Sequence, residues 1–327
     1  MRTITLEEHY VTPGFLNGPG QKFLERATRF GDRLATILEQ LSDVGDRRIA
    51  EMDAAGIDMQ VLSLNSPGVE QLEETGEITL ARETNDFVAA AVERNPTRFA
   101  GFATLPVAAP EKAADELERM VREHGFKGAN INGHHQGRYL DDQFFWPILE
   151  RAESLQVPIY LHPTQPPPAV MKASYGGFSP EVTFMLTSAG WGWHIETAVH
   201  VLRIILGGAF DRYPKLQLII GHMGESLPFM LSRLDIMTTA ITGLKRPISA
   251  YLRENIHYTF SYTFSGFNFT PTFLDLLLQV GVDRIMFSAD YPYGSMAQAH
   301  AFLDHLPVSA SDRERIAHGN AEQLLRL

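Results

Sequence analysis

The sequence predicts an α/β fold, a (β/α)8 TIM barrel, and three observations carry that prediction. Eight short β-type runs alternate with amphipathic helical stretches along the 327 residues, and strict βα alternation builds parallel strands joined by helical crossovers. Eight is also the number of units that closes such a sheet into a barrel. The competing open, doubly wound sheet normally announces itself with a phosphate-binding glycine-rich turn, and neither GxGxxG nor GxxxxGK[ST] occurs.

By apolar content and turn signals, the strands are Thr3 to Glu7, Met59 to Leu64, Phe99 to Leu105, Gly128 to Ile131, Pro158 to Leu161, Leu216 to Ile220, Ile256 to Phe260 and Arg284 to Phe287. The helices between them are Asp46 to Ala55, Leu80 to Glu93, Pro110 to Glu123, Gln143 to Leu155, Glu196 to Leu206, Pro228 to Thr239, Pro271 to Val280 and Asp312 to Leu325. Pro110 to Glu123 shows the pattern, with Ala114, Leu117 and Val121 on one stripe and Glu111, Glu116, Glu118 and Arg122 off it. No linker, charge run or repeat beyond the βα alternation divides the chain, so one domain over residues 1–327 is expected. Two connections far exceed the two to six residues usual for such units: Tyr10 to Gly45 after the first strand and Pro163 to Ile195 after the fifth. The second is stiffened by Pro163, Pro166, Pro167 and Pro168 and carries Tyr175, Phe178, Phe184, Trp191 and Trp193, which either wall an apolar pocket or pin the loop to the barrel.

Composition narrows the function. With 44% apolar and 20% charged residues the chain is globular. Its 28 Lys and Arg against 39 Asp and Glu leave a formal charge of −11, which disfavours nucleic acid and anionic membranes as partners. The absence of cysteine excludes disulfides, thiolate metal sites and a Cys nucleophile. Met1 to Tyr10 carries acids where a signal peptide needs an apolar core, and no stretch of 18 uninterrupted apolar residues follows, so a cytoplasmic location is expected.

Barrel chemistry sits at the C-terminal ends of the strands. Here the first strand ends in Glu7, Glu8 and His9, the fifth in His162, the sixth in His222 and the eighth in Asp290. Singly, each is most simply a structural polar residue; grouped on one rim they have the composition of a divalent-metal site. The period of two turns Glu7 and His9 to the barrel interior and Glu8 outward. Oxygen and imidazole ligands without sulfur suit zinc, manganese or iron alike. Glu225 either fixes the tautomer of His222 or is only an acid favoured at a helix N-terminus. Arg233 either reaches a substrate anion across the mouth or lies on the surface. Of the remaining histidines, only His194, within the aromatic loop, stands out.

Glu7-x-His9, Tyr160-Leu-His-Pro163, Gly221-His-Met-Gly-Glu225 and Phe287-Ser-Ala-Asp-Tyr-Pro292 together resemble the amidohydrolase superfamily. Leu6-Glu-Glu-His9, Leu62-Ser-Leu-Asn-Ser-Pro67, Ile131-Asn-Gly133, Glu196-Thr-Ala-Val-His200 and Gly319-Asn-Ala321 extend the likeness over nearly the whole chain, toward the metal-dependent, non-oxidative decarboxylases of hydroxybenzoates. The resemblance implies one zinc or manganese ion held by Glu7, His9, His162 and Asp290, with no organic cofactor. It places His222 beside the metal with Glu225 behind it, Asn132 and Arg233 on an aromatic acid substrate, and Trp191 or Trp193 along its ring. It also implies a homodimer or homotetramer. Binuclear relatives carry His-x-His on the first strand and a Lys on the fourth or fifth; Glu7 and Asn132 at those places imply a single ion. The chain departs from the decarboxylase pattern at Thr164-Gln165-Pro166, where an Arg-Asn-Pro stretch is usual, and in the aromatic run Tyr258, Phe260, Tyr262, Phe264 and Phe267. The expected reaction is decarboxylation of an ortho-hydroxybenzoate, with Asp290 protonating the ring carbon helped by His222. The alternatives are metal-assisted hydrolysis of a lactone or amide and a non-catalytic metal scaffold.

Overall fold

The computed structural model describes residues 1–21, 32–238, 240–261 and 269–327. Within them the strands are β1 (Ile4–Tyr10), β2 (Met59–Leu64), β3 (Phe99–Gly101), β4 (Ala103–Thr104), β5 (Ala129–Asn132), β6 (Ile159–His162), β7 (Leu218–Ile220), β8 (Ile256–Ser261) and β9 (Ile285–Ser288). All pair in parallel, in the order β3-β2-β1-β9-β8-β7-β6-β5-β4. The two ends of that order, β3 and β4, are one residue apart in the chain, so the sheet closes on itself. The predicted third strand, Phe99 to Leu105, turns at Phe102 and pairs by its first half with β2 and by its second with β5. The result is the eight-stranded barrel.

Strand positions follow the apolar runs because both faces of a barrel strand are buried. Ile4, Leu6, Val61, Phe102, Tyr160, Ile219 and Met286 fill the inside of the ring, and Ala321 and Leu325 of the last helix, Asn320–Leu325, pack against this cluster. The larger apolar layer lies between strands and helices. Helix Asp46–Ala55 has the predicted bounds and stops at Gly56, whose φ of 70° is the left-handed conformation glycine adopts at no steric cost. Its fully buried Arg48 reaches back to the backbone carbonyl of His9 and stacks 4.5 Å from the Tyr291 ring centroid, tying the end of β1 to the segment after β9.

Among the differences from the sequence-based expectation, three bear on the site and its frame. β1 runs to Tyr10, not Glu7, because Glu8, His9 and Tyr10 pair with Leu62, Ser63 and Leu64; the polar run hides a strand end. The predicted last helix, Asp312 to Leu325, is two short helices, Ala310–Glu314 and Asn320–Leu325, joined by a wider turn over Arg315–Gly319. There Asn320 donates to the carbonyls of Val282 and Ile285 at the foot of β9. The long connections contain helices of their own: Pro13–Leu16 and Asp32–Ser42 after β1, Pro168–Ser174 and Pro180–Thr187 after β6. Ser179 caps the last of these, with Pro180 at its first position. Tyr262, Phe264 and Phe267 of the aromatic run lie outside the described residues. Among the described residues, no helix is long and apolar enough to cross a membrane.

Candidate active site

The C-terminal rim gathers the predicted polar residues. Between Thr5 and Glu8 the β1–β2 register slips by one, so that Leu6 and Glu7 together oppose Val61. This bulge puts Glu7 at φ 67°, and it turns the carboxylate into the barrel. Glu7 Oε2 accepts from Thr259 Oγ1 at 3.3 Å, and Thr259 in turn pairs with the Tyr160 hydroxyl at 2.9 Å. Glu7 Oε1 is buried without a hydrogen-bond partner and lies 3.6 Å from both His162 Nε2 and His222 Nε2. Gly221 leaves the space: a Cβ there would stand 2.8 Å from Glu7 Oε1.

His162 donates Nδ1–H to the Pro163 carbonyl at 2.9 Å, which leaves Nε2 as a bare lone pair toward Glu7. Burial, with His9 and His222 close by, holds its pKa well below the ordinary value, so the ring is neutral. His9 packs edge-on to it at 4.9 Å and places Nε2 3.2 Å from Asp290 Oδ1, while His9 Nδ1 has no hydrogen-bond partner. Ligand atoms of Glu7, His9 and His162 all lie within 4.8 Å of one another. An unsatisfied buried carboxylate oxygen beside a neutral imidazole lone pair is costly unless a cation completes it. The donor set of Glu7, His9 and His162, with Asp290 beside His9, therefore fits a divalent metal.

His222 and Glu225 follow β7, and Glu225 does more than the sequence indicated. Its Oε1 accepts from His222 Nδ1 at 2.8 Å and its Oε2 from His194 Nδ1 at 2.6 Å; His194 Nε2 sits 2.9 Å from the Ala189 carbonyl. One carboxylate thus orients two imidazoles, and the facing atoms of this second cluster are already hydrogen-bonded to one another. Burial would raise the Glu225 pKa, but His222 and His194 hold it below the ordinary range. Burial likewise works against a charged His222, yet Glu7, Glu225 and Asp290 push its pKa up to about 10. The sole hint of His194 in the sequence was its place in the aromatic loop.

Glu8, expected to face outward, does point away from the barrel interior but is fully buried. It accepts from the backbone N–H of Ala289 at 2.9 Å and of Tyr291 at 3.3 Å, and from Gln60 Nε2 at 3.1 Å. The carboxylate brackets Asp290 by holding both its neighbours, and Asp290 itself sits at φ 55°. Burial raises the Glu8 pKa to about 8. Glu7, His222, Glu225 and Asp290 all have left-handed backbones, each costing on the order of 1 kcal/mol, as is common where geometry serves a site.

The remaining expectations divide. Asn132, at the end of β5, is buried; its N–H donates to Glu70 Oε1 at 2.6 Å and its own Oδ1 has no hydrogen-bond partner. Trp193 stands edge-on to His162 at 6.4 Å, whereas Trp191 is 51% exposed. Arg233 lies exposed on helix Leu227–Thr238 and forms no hydrogen bond or ion pair with another described residue.

Known proteins resemble the chain over nearly its whole length. The amidohydrolase family model matches residues 39–327, and the chain belongs to that family. It is 39% identical to the γ-resorcylate decarboxylase of Polaromonas sp., over 99% of this chain and 98% of that one. Its fold matches a 2,6-dihydroxybenzoate decarboxylase solved in complex with 2,6-dihydroxybenzoate, with TM-score 0.89, 35% identity and full coverage of both chains. It matches equally, at TM-score 0.89 and 38% identity over 100% of this chain and 97% of the other, a dihydroxybenzoic acid decarboxylase from Polaromonas sp. with bound manganese and the inhibitor 2-nitroresorcinol.

Two predictions follow from packing and burial. Gly221→Ala drives a methyl group into Glu7; the protein should fold, with Mn2+ affinity reduced by about tenfold or more in calorimetric titration. Unchanged affinity would exclude the Glu7 carboxylate as a ligand held in this position. Burial raises the Glu70 pKa to about 7, so its contribution to stability is full below the unfolded value near 4.5 and is lost as pH rises through about 7. Glu70→Gln should therefore raise the melting temperature at pH 8 but not at pH 4, with a gain of up to about 3 kcal/mol. A pH-independent effect would contradict the burial argument.

Proposed function

We propose that this chain is a metal-dependent, non-oxidative decarboxylase of an ortho-hydroxybenzoate-type acid, with its ion held by Glu7, His9, His162 and Asp290. The observation that carries the reading is the unsatisfied Glu7 oxygen set among neutral imidazole nitrogen and a second carboxylate, on the rim where the family does its chemistry. A divalent ion such as manganese or zinc held there would supply positive charge that stabilises the anionic acid.

The chain's own residues do the rest. Asp290 takes the proton of the ortho hydroxyl as the acid binds and delivers it to the ring carbon that bears the carboxylate. The bond from that carbon to the carboxylate breaks, its electron pair restores the aromatic ring, and CO2 leaves. Asp290 is ionised again, and the product oxygen takes a proton from water, so one proton is consumed per CO2. His222, with Nδ1 fixed by Glu225, presents Nε2 to the negative charge that persists on the substrate throughout. Glu8 keeps Asp290 in place from behind, Asn132 offers its free Oδ1 to a second hydroxyl, and Trp193 lines the ring. The reverse carboxylation follows from the same steps at high bicarbonate.

Association with a second copy of the chain is also proposed. Phe229, Met230, Ile236 and Met237 are all exposed on helix Leu227–Thr238, at spacings that make one stripe. Arg233 stands on that stripe as well. A homodimer or larger homo-oligomer would cover it.

With manganese loaded, acids carrying a 2-hydroxyl group should be converted with release of CO2, while 3- and 4-hydroxybenzoate are untouched. Asp290→Asn should lower turnover by about 10²-fold or more. Full activity in that variant would remove Asp290 from the proton transfer, and a wholly unconverted panel would favour the hydrolase reading. In light scattering, Ile236→Asp should reduce the oligomer mass with the melting temperature of the monomer preserved; an unaltered mass would place the interface elsewhere.

A further inference from the structure

The opposite end of the barrel has a site of its own. A cavity of about 680 Å³ lies at the N-terminal ends of β6 to β9, where Pro158, Gln217, His257 and Arg284 begin or precede the strands. Its wall carries four cations, Lys215, Arg284, Arg315 and Arg326, and one acid, Asp283. In a chain of formal charge −11 that is a local reversal of sign.

The acid does not neutralise the cavity, because Asp283 is paired with Arg315. Arg284, half-buried at the foot of β9, donates to Gln217 Oε1 at 3.1 Å and has its Nη1 3.0 Å from His257 Nε2, and neither group carries negative charge. His257 is only 7% exposed and its Nδ1 has no hydrogen-bond partner. Burial, with Arg284 beside it, holds its pKa down to about 3, so the ring adds no charge. Arg326 likewise leans on a neutral group, Gln156 Oε1 at 2.9 Å. Arg284 is thus hydrogen-bonded only to neutral groups, with Glu254 and Asp283 acting on it through space, and a half-buried guanidinium so placed gains when an anion takes up its remaining donors. Residues on this barrel face ordinarily serve stability, and the four cations gathered here add a concentration of positive charge to that role.

We propose that this cavity binds a small, multiply charged oxyanion of the phosphate or polycarboxylate class, with Arg284 at its base and Lys215 and Arg326 around it. The planar guanidinium matches two oxygens of such a group at once. The volume exceeds what one inorganic anion needs and falls in the range of small-molecule sites, so an anion with an organic body fits it. The acidic remainder of the chain repels long polyanions, which restricts the ligand to a small one.

The test is calorimetric titration of the manganese-loaded protein with inorganic phosphate and, separately, with tricarballylate, at ionic strength held constant with chloride. Saturable binding of either is expected, weakened about tenfold or more in Arg284→Gln and in Lys215→Ala, and preserved in Asp290→Asn. Binding of phosphate alone or of tricarballylate alone identifies which source of the charge the site takes. Lys215 and Arg326 are exposed, so Lys215→Ala and Arg326→Gln decide the matter if Arg284→Gln does not fold. The proposal is overturned if neither anion binds saturably, if these substitutions leave the affinity unchanged, or if binding disappears in Asp290→Asn, which would assign it to the active site.

Discussion

A carboxylate held entirely out of water at a bulge in the first strand is the constraint around which this molecule is organised. Glu7 reaches the barrel axis because β1 bulges there and accepts a left-handed backbone. Gly221 leaves it room, and Tyr160 and Thr259 hold one oxygen so that the other remains free. Burial alone pushes the pKa of such a group upward, with His222 opposing. That balance makes the position expensive in an empty protein and well suited to a cation.

The residues around it are arranged so that each donor has one assigned role. The Pro163 carbonyl fixes the tautomer of His162, Glu225 fixes His222 and His194, and Glu8 grips the backbone on both sides of Asp290. These supporting contacts come from different strands, so the closed barrel is what lets them meet. Preorganisation of this kind means that a substrate's charge encounters oriented groups without further rearrangement.

Much of this was legible in the sequence, for physical reasons. Strands buried on both faces read as apolar runs, and the strand ends carry the polar residues that the rim collects, so the barrel and the set Glu7, His9, His162, His222 and Asp290 could be picked out. The break at Phe102 was hidden because both halves of that strand are equally apolar. The left-handed backbones at Glu7, His222, Glu225 and Asp290 left no trace, since none of them is a glycine. Glu8 was read by its period as merely outward, whereas the layer between strands and helices buries it on the backbone just after β9. His194 depends on how a long loop packs, which local pattern does not record; it joins the site through Glu225.

The most direct measurement is a crystal structure of the manganese-loaded protein with the ion located by anomalous scattering. The account predicts one ion per chain, in contact with Glu7, His9, His162 and Asp290, with the bonds from Glu225 to His222 and His194 intact. An ion seated instead among His194, His222 and Glu225, or one that leaves Glu7 Oε1 unliganded, would contradict it.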